Sequence, residues 1–219
     1  MKKNSEIIVT LKAATTLDGK IATSSGHSKW ITGKAAQLKC HELRNKNDAI
    51  LVGINTVLID DPELTVRDIH GGRSPVRIVL DSKARIPEQS RVFQQDGVSV
   101  IIVIGSHAPV RIWPKLDGLT ILTAPTKTPE ILWVLSEIQK FGFKSLLVEG
   151  GSLIHSSFLK SNTVDQLVLF LSPKVIGGQR ALSWCGNLDI DSLDKALQME
   201  ISSVKPLGEE DWIISAKIK

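Results

Sequence analysis

The chain has 219 residues, 42% of them hydrophobic, which is enough for one domain with a sizeable core. Its 27 basic and 23 acidic side chains are interspersed, the net charge is only +4, and 5 Trp, 5 Phe and no Tyr give no stacking platform, so a nucleic-acid partner is not expected. The apolar runs fall far short of the roughly 20 residues that cross a bilayer. Lys12 interrupts the first of them too early for a signal peptide, so a cytoplasmic protein with no membrane partner is expected.

The first strand is predicted over 6–13 ("EIIVTLKA"), and it leads into "TLDGKIATSSGHSKWIT", residues 16–32, too polar for a core and too well punctuated for a linker. Thr32 is placed to cap a helix running to about Asn45. Strands follow at 48–52, 76–80, 98–104 and 119–122, several of them continuously apolar, as strands covered on both faces are. Thr128-Pro129 starts a helix with Ile131, Val134, Leu135 and Ile138 on one face. Strands at 145–149 and 165–171 come next, and 200–205 with 211–218 read as a closing hairpin around "PLGEED". The order is that of an α/β fold, a mixed and mostly parallel sheet flanked by helices, with an antiparallel C-terminal hairpin. No linker is long enough to divide it, so residues 1–219 are read as a single domain.

Chemistry is concentrated in two stretches. In "LVEGGSLIHSSF", 147–158, an apolar strand runs into Glu149, then Gly150-Gly151-Ser152 and a helix. Glycines at a strand's carboxyl end and a helix N-terminus together can cradle a phosphate, although an ordinary strand-to-helix turn has the same pattern and GxGxxG is absent. In "GINTVLIDDPELTVR", 53–67, Asp60 and Asp61 precede Pro62, a capped-turn pattern with no third ligand for a metal. Arg44 before it and Arg67 after it could clamp an anion bidentately, and a mildly basic chain suits a small phosphorylated ligand. Cys40 and Cys185 read as packing residues, and His41 and His155 as helix-surface or packing residues. There is no zinc-deaminase signature and no Gly-x-Ser-x-Gly elbow.

Five blocks, "KAATTLDGKIAT…GHSKWIT", "HELRNKNDAILVGINTVLIDDPELTVR", "PVRIVLDSKARIP", "LLVEGGSLIHSSFL" and "VDQLVLFLSPKVIGG", resemble in order and spacing the reductase of riboflavin biosynthesis, which has a dihydrofolate-reductase-like three-layer fold. The resemblance spans about 6–180; Thr16 stands where relatives have Ser, Gln166 where an acid is common, and no deaminase half is present. It implies NADPH as cofactor and a ribosylaminopyrimidine 5′-phosphate as substrate: 5-amino-6-(5-phosphoribosylamino)uracil or its 2,5-diamino precursor, reduced from ribosyl to ribityl. By motif match, Ala14, Trp30, Thr56, Asp60, Ser82 and the run Gly151, Ser152, Leu153, Ile154, His155, Ser156 and Ser157 would contact the cofactor. Ser28, Arg44, Leu64, Arg67 and Glu149 would contact the substrate. Lys12 and Glu149 are the catalytic candidates, against a snorkelling lysine and a helix-capping glutamate. Lys83 and Arg85 could meet a 2′-phosphate. The resemblance further implies a homodimer, with Trp212, Ile213 and Ile214 on the hairpin, and a separate deaminase in the same pathway. A dihydrofolate reductase proper lacks support because "TGKAAQLKC" has no acid early in the first helix, and a non-catalytic relative would be expected to have lost Arg67 or Glu149.

Overall fold

The computed structural model describes residues 6–219. Strand β1 (Ile8–Thr16) lies inside the main sheet because its alternate side chains all find cover. Val9 and Leu11 enter one apolar cluster, while Ala14 packs in another on the opposite face. The chain then forms the short β2 (Lys20–Ala22), helix α1 (Lys34–Lys46), β3 (Ala49–Gly53), α2 (Ile54–Asp60), β4 (Val76–Leu80), β5 (Val100–Ile104) and β6 (Leu119–Thr123). There follow α3 (Ile131–Gln139), β7 (Ser145–Gly150), α4 (Ser152–Lys160), β8 (Gln166–Ser172), the two-residue β9 (Leu182–Ser183), and the hairpin β10 (Met199–Leu207) and β11 (Asp211–Ile218).

Nine strands make one sheet in the order β10-β11-β8-β1-β7-β3-β4-β5-β6, and β2 pairs with β9 apart from it. All pairings from β8 to β6 are parallel; β11 joins β8 antiparallel and β10 joins β11 antiparallel. The predicted strands are present within two or three residues at each end, and Ile131, Val134, Leu135 and Ile138 are all buried. α3 and α4 cover one face of the sheet, and α1, α2 and the ordered segments after α2 cover the other.

Two local expectations are corrected. Thr32 does not cap α1: the N-cap is Gly33, and its N–H donates to the Asp211 carboxylate of the hairpin at 2.7 Å. No side chain caps the first turn, and the hairpin carboxylate anchors the N-cap residue instead. The second is α2, which is not expected from the sequence: the Asp60-Asp61-Pro62 turn is present, with Asp61 in the left-handed region at φ 40°, but it closes two turns of helix too short for a periodic signal.

The segments between α2 and β5 carry little regular structure, and one buried cation holds them. Arg77 on β4 is fully buried; Nε donates to the Glu63 carbonyl (2.8 Å), Nη1 to the Val92 carbonyl (3.3 Å), and the guanidinium is bidentate on Asp96. Partial burial would push the Asp96 carboxyl up, but the Arg77 bonds hold it below its usual value. Arg77→Met should therefore lower the unfolding free energy by about 3 kcal/mol or more, since it strands two carbonyls and a carboxylate at once. Urea unfolding followed by circular dichroism measures this; a loss under about 1 kcal/mol would mean that water replaces the guanidinium without penalty.

Candidate active site

Strand β1 is paired to β7 only as far as Leu11 opposite Val148, whereas it stays paired to β8 from Thr10 through Thr16. β1 and β7 therefore part at Lys12 and Glu149. On its other side β7 slips register against β3: Leu51 faces Val148 but Val52 faces Gly150, so Glu149 is the extra residue of a β-bulge. Alternation along β7, with Leu146 and Val148 in the cluster under α3 and α4 and Leu147 in the opposite one, puts Glu149 on the α1 side of the sheet. There Arg44 Nε and Nη2 each donate to one carboxylate oxygen at 2.8 Å and the Cys40 thiol donates at 3.4 Å.

The electrostatics follow from that geometry. Burial alone would push the Glu149 carboxyl up, but the Arg44 guanidinium, the bonds it donates and the nearby Lys12 ammonium bring it down to about 2. Glu149 is thus a fixed anion at neutral pH, with no proton to give. Burial, then the Glu149 charge, pushes the Cys40 thiol up, which keeps it a donor. Lys12 Nζ lies 4.9 Å from the centroid of the Phe170 ring, on the α1 side of the sheet. Glu149 does not cap α4: the N-cap is Gly151, and no side chain bonds there.

Beside this pair the carboxyl ends of β7, β3 and β4 lie in a row, the usual place for a ligand on a parallel sheet. Gly151 has φ +85°, and a Cβ on Gly150 would sit 2.9 Å from Thr56 Oγ1, so only glycines let β7 pass α2 and open α4. Gly53 is equally tight: its Cβ would meet Ile154 Cγ1 at 2.7 Å. Further along, Arg85 Nη2 donates to Asn55 Oδ1 at 3.0 Å, which sets Ser82, Lys83 and Arg85 beside the start of α2. The uncapped α4 amides, the crowded glycines and this basic end together fit an extended phosphorylated cofactor.

The seven-residue run after Gly150 divides by helical geometry. Gly151, Ser152 and the exposed Leu153 lie at the helix start. Ile154 packs on Gly53, and buried His155 meets the Trp184 carbonyl through Nδ1 at 2.8 Å. Ser156 Oγ donates to the Ser152 carbonyl and accepts the Gly186 N–H at 2.7 Å, and Ser157 Oγ donates back to Leu153. Ile154 thus stands against the end of β3, His155 and Ser156 fasten the helix to the 184–186 segment, and Ser157 bonds back within the helix.

The loop after β1 reaches across to α2, where Ser28 Oγ donates to Asp60 Oδ1 at 3.0 Å. Trp30 next to it is 71% exposed with φ 65°. Asp61 accepts the Arg91 N–H at 2.8 Å, and among the described residues no three His, Cys, Asp or Glu gather as metal ligands. Leu64 has φ 57° with its side chain in the core, so it can meet a ligand only through its backbone.

The two arginines read from sequence as a clamp both reach Thr65 but turn to different carboxylates. Arg44 turns inward to Glu149 and its Nη1 takes the Thr65 carbonyl at 2.9 Å, so three of its five N–H groups are engaged. Arg67 turns outward to Glu63 and to Thr65 Oγ1 (3.1 Å), half-exposed, while its N–H donates to His41 Nδ1 at 3.3 Å. Arg91, which sequence reasoning passed over, shares Glu63 with Arg67 and supplies the second rim cation. No spacing rule would have found it, because a β-strand and long connecting segments separate the two.

A mostly parallel sheet with a row of open strand ends and a buried Glu149–Arg44 ion pair at a fork between strands is the architecture of an α/β enzyme. The same fold recurs in dihydrofolate reductase from Enterococcus faecalis, at 12% identity and a TM-score of 0.56, a likeness of fold alone. The chain belongs to the RibD C-terminal domain family, which matches residues 8–212. It is 38% identical to the 2,5-diamino-6-ribosylamino-4(3H)-pyrimidinone 5′-phosphate reductase of Methanothermobacter thermautotrophicus, over 96% of this chain and 98% of that one. It also superposes on the crystal structure of the deaminase/5-amino-6-(5-phosphoribosylamino)uracil reductase of Thermotoga maritima with a TM-score of 0.82 and 31% identity, covering 97% of this chain and 57% of that one.

Glu149→Gln removes the counter-charge of a buried guanidinium, so it should cost about 3–5 kcal/mol of stability at neutral pH. Because folding depresses this carboxyl, its stabilisation is complete above 4.5 and is lost as pH falls toward about 2. Wild type should weaken across that window more steeply than the variant. Urea unfolding at points through the window checks both; identical slopes would show that the pair does not carry the acid sensitivity.

Proposed function

We propose that this chain is the NADPH-dependent, cytoplasmic reductase that converts the ribosyl group of a ribosylaminopyrimidine 5′-phosphate to ribityl in riboflavin biosynthesis, acting as one reductase unit. The observation that carries the reading is the Glu149 anion held by Arg44 beside Lys12, where β1 leaves β7. Family membership and the full-length agreement with an archaeal reductase support it. The same agreement favours the 2,5-diamino pyrimidine as substrate, with a deaminase acting on the product in the same pathway.

NADPH, when bound, supplies the hydride. Gly151, Ser152 and Thr56 would hold its phosphates, Trp30 and Ala14 its nicotinamide end, and Asp60 and Ser82 its length, with Lys83 and Arg85 at a 2′-phosphate. On the substrate, the anomeric carbon must become electrophilic: the ring oxygen takes a proton, the carbon–oxygen bond opens, and the nitrogen lone pair forms the iminium. Glu149, already ionised, cannot give that proton, which leaves Lys12 as donor. Glu149 then serves by charge, stabilising the cationic carbon–nitrogen centre as it forms. Ser28, the Leu64 backbone and Arg67, with Arg91 behind it on Glu63, would orient the sugar phosphate. A dihydrofolate reductase reading is not favoured, since the first turn of α1 has no acid.

The deciding experiment is NADPH oxidation with the diamino and the deaminated pyrimidine phosphates, set against dihydrofolate. Turnover is expected with the first two and with NADPH over NADH; activity on dihydrofolate alone would overturn the assignment. Arg67→Lys keeps the charge and loses the planar fork, so kcat/KM should fall by on the order of 1.5–3 kcal/mol, roughly ten- to more than hundredfold, with NADPH affinity unchanged.

A homodimer through the hairpin face belongs to the same reading. Leu17, Leu171, Pro173, Val204, Trp212 and Ile214 line an apolar groove of about 360 Å³, and Ile201 beside it is 63% exposed. Sedimentation should give twice 23.9 kDa, and Val204→Glu should halve it. A wild-type monomer at micromolar concentration would refute the dimer and leave the chemistry standing.

A further inference from the structure

The loop from Leu17 to Ile31 carries Ser28 and Trp30, and both its ends converge on one residue of the segment after β8. At the start, the Leu17 N–H donates to the Lys174 carbonyl at 2.8 Å. At the finish, Lys174 Nζ donates to the Trp30 carbonyl at 2.8 Å and to the Ile31 carbonyl at 2.9 Å. Asp18 works in the opposite direction. Its carboxylate accepts the Gly177 N–H at 2.7 Å and the Ile176 N–H at 3.2 Å as well as the Thr16 hydroxyl at 2.6 Å. The closed, compact loop whose ends meet in this way is of the Ω type.

The two halves of the loop are not held alike. The outgoing half is fixed by the β2–β9 pairing, by the Trp184 N–H on the Gly19 carbonyl (3.1 Å) and by Lys20 on Ser183 (3.1 Å). The returning half makes its own turn between Thr23 and His27, and beyond that it is tied to the body by Ser28 on Asp60 and by Lys174. Trp30 sits in the left-handed region, an unfavourable place for a bulky residue unless its neighbours over-determine it. Lys174 bonds the carbonyl of Trp30 itself and that of Ile31 just after it, where that determination is needed. A cleft of about 610 Å³ between Trp30, the start of α1, Lys174 and the hairpin leaves room for the loop to swing away.

We propose that Lys174 is a positioning residue, which closes the 17–31 loop and so holds Trp30 and Ser28 over the row of strand ends. It touches neither hydride nor sugar; it acts through the two carbonyls. The consequence for catalysis rests on the reductase reading, whereas closure of the loop does not. Removing the ammonium should loosen the returning half and leave Lys12, Glu149 and Arg44 where they are.

The experiment compares wild type, Lys174→Met, Lys174→Gln and Lys174→Arg by three readouts: melting temperature, the rate of tryptic cleavage after Lys29, and steady-state NADPH oxidation with the ribosylaminopyrimidine phosphate. The Met variant should melt close to wild type, be cut after Lys29 at least ~10-fold faster, and show KM values for NADPH and substrate raised ~10-fold or more with a smaller change in kcat, as for misplaced binding groups around intact chemistry. Arg, whose fork can also reach two carbonyls, should restore both resistance to trypsin and KM. Wild-type cleavage and KM in the Met variant would overturn the proposal, as would a fall in kcat with KM unmoved. If the Met variant does not fold, the Gln variant decides by the same two ratios. If wild type turns over no pyrimidine phosphate, the reductase reading fails, and the cleavage ratio still decides the clasp.

Discussion

A carboxylate buried at the point where two parallel strands part has to be paired, and the pairing of Glu149 with Arg44 is the constraint from which the rest of the site follows. Glu149 sits at the register shift on β7, beyond the last β1–β7 pair, and strand alternation presents its side chain to α1. α1 is thereby fixed over the crevice rather than merely packed on the sheet. The third donor of the same guanidinium takes the Thr65 carbonyl, so the loop that carries Leu64 and Arg67 is tied to the same pair. One ion pair sets a helix, a strand end and a loop relative to Lys12, and it keeps the acid ionised where positive charge would develop.

The same device appears twice more, with cations bonded to backbone carbonyls where no strand can serve them. Arg77 joins the segments at Glu63 and Val92 from within the core, and Lys174 joins Trp30 and Ile31 from the surface. Loops that carry function run outside the sheet, and their carbonyls still need donors. A long cationic side chain reaches several of them from a single anchored position. This accounts for basic residues in a chain whose charge pattern points to no polyanionic partner.

The strand order of sequence reading and its helix α3 are present because apolar periodicity is a local property, carried by five to ten residues at a time. α2 escaped it, being two turns long and ending at an Asp-Asp-Pro that reads as a turn. The start of α1 escaped it for another reason: Asp211, which anchors the N-cap residue, lies 178 residues from the Gly33 N–H it accepts. In the run Gly151–Ser157 the motif was legible and its division was not, since which side of α4 each residue takes depends on the 184–186 loop laid against it.

What the sequence determined alone was therefore the α/β class, the glycine turn at the end of β7, and the family through blocks of residues in register. Those are properties of short windows and of their order. What only the tertiary structure decided was the pairing of charges. Arg44 and Arg67 look equivalent in the chain, yet one is buried against Glu149 and the other stands at the rim beside Arg91. The physical reason is that a guanidinium acts over about 3 Å, whereas the distances between residues 44, 65, 91 and 149 are set by how helices and loops cross the sheet, which no spacing along the chain encodes.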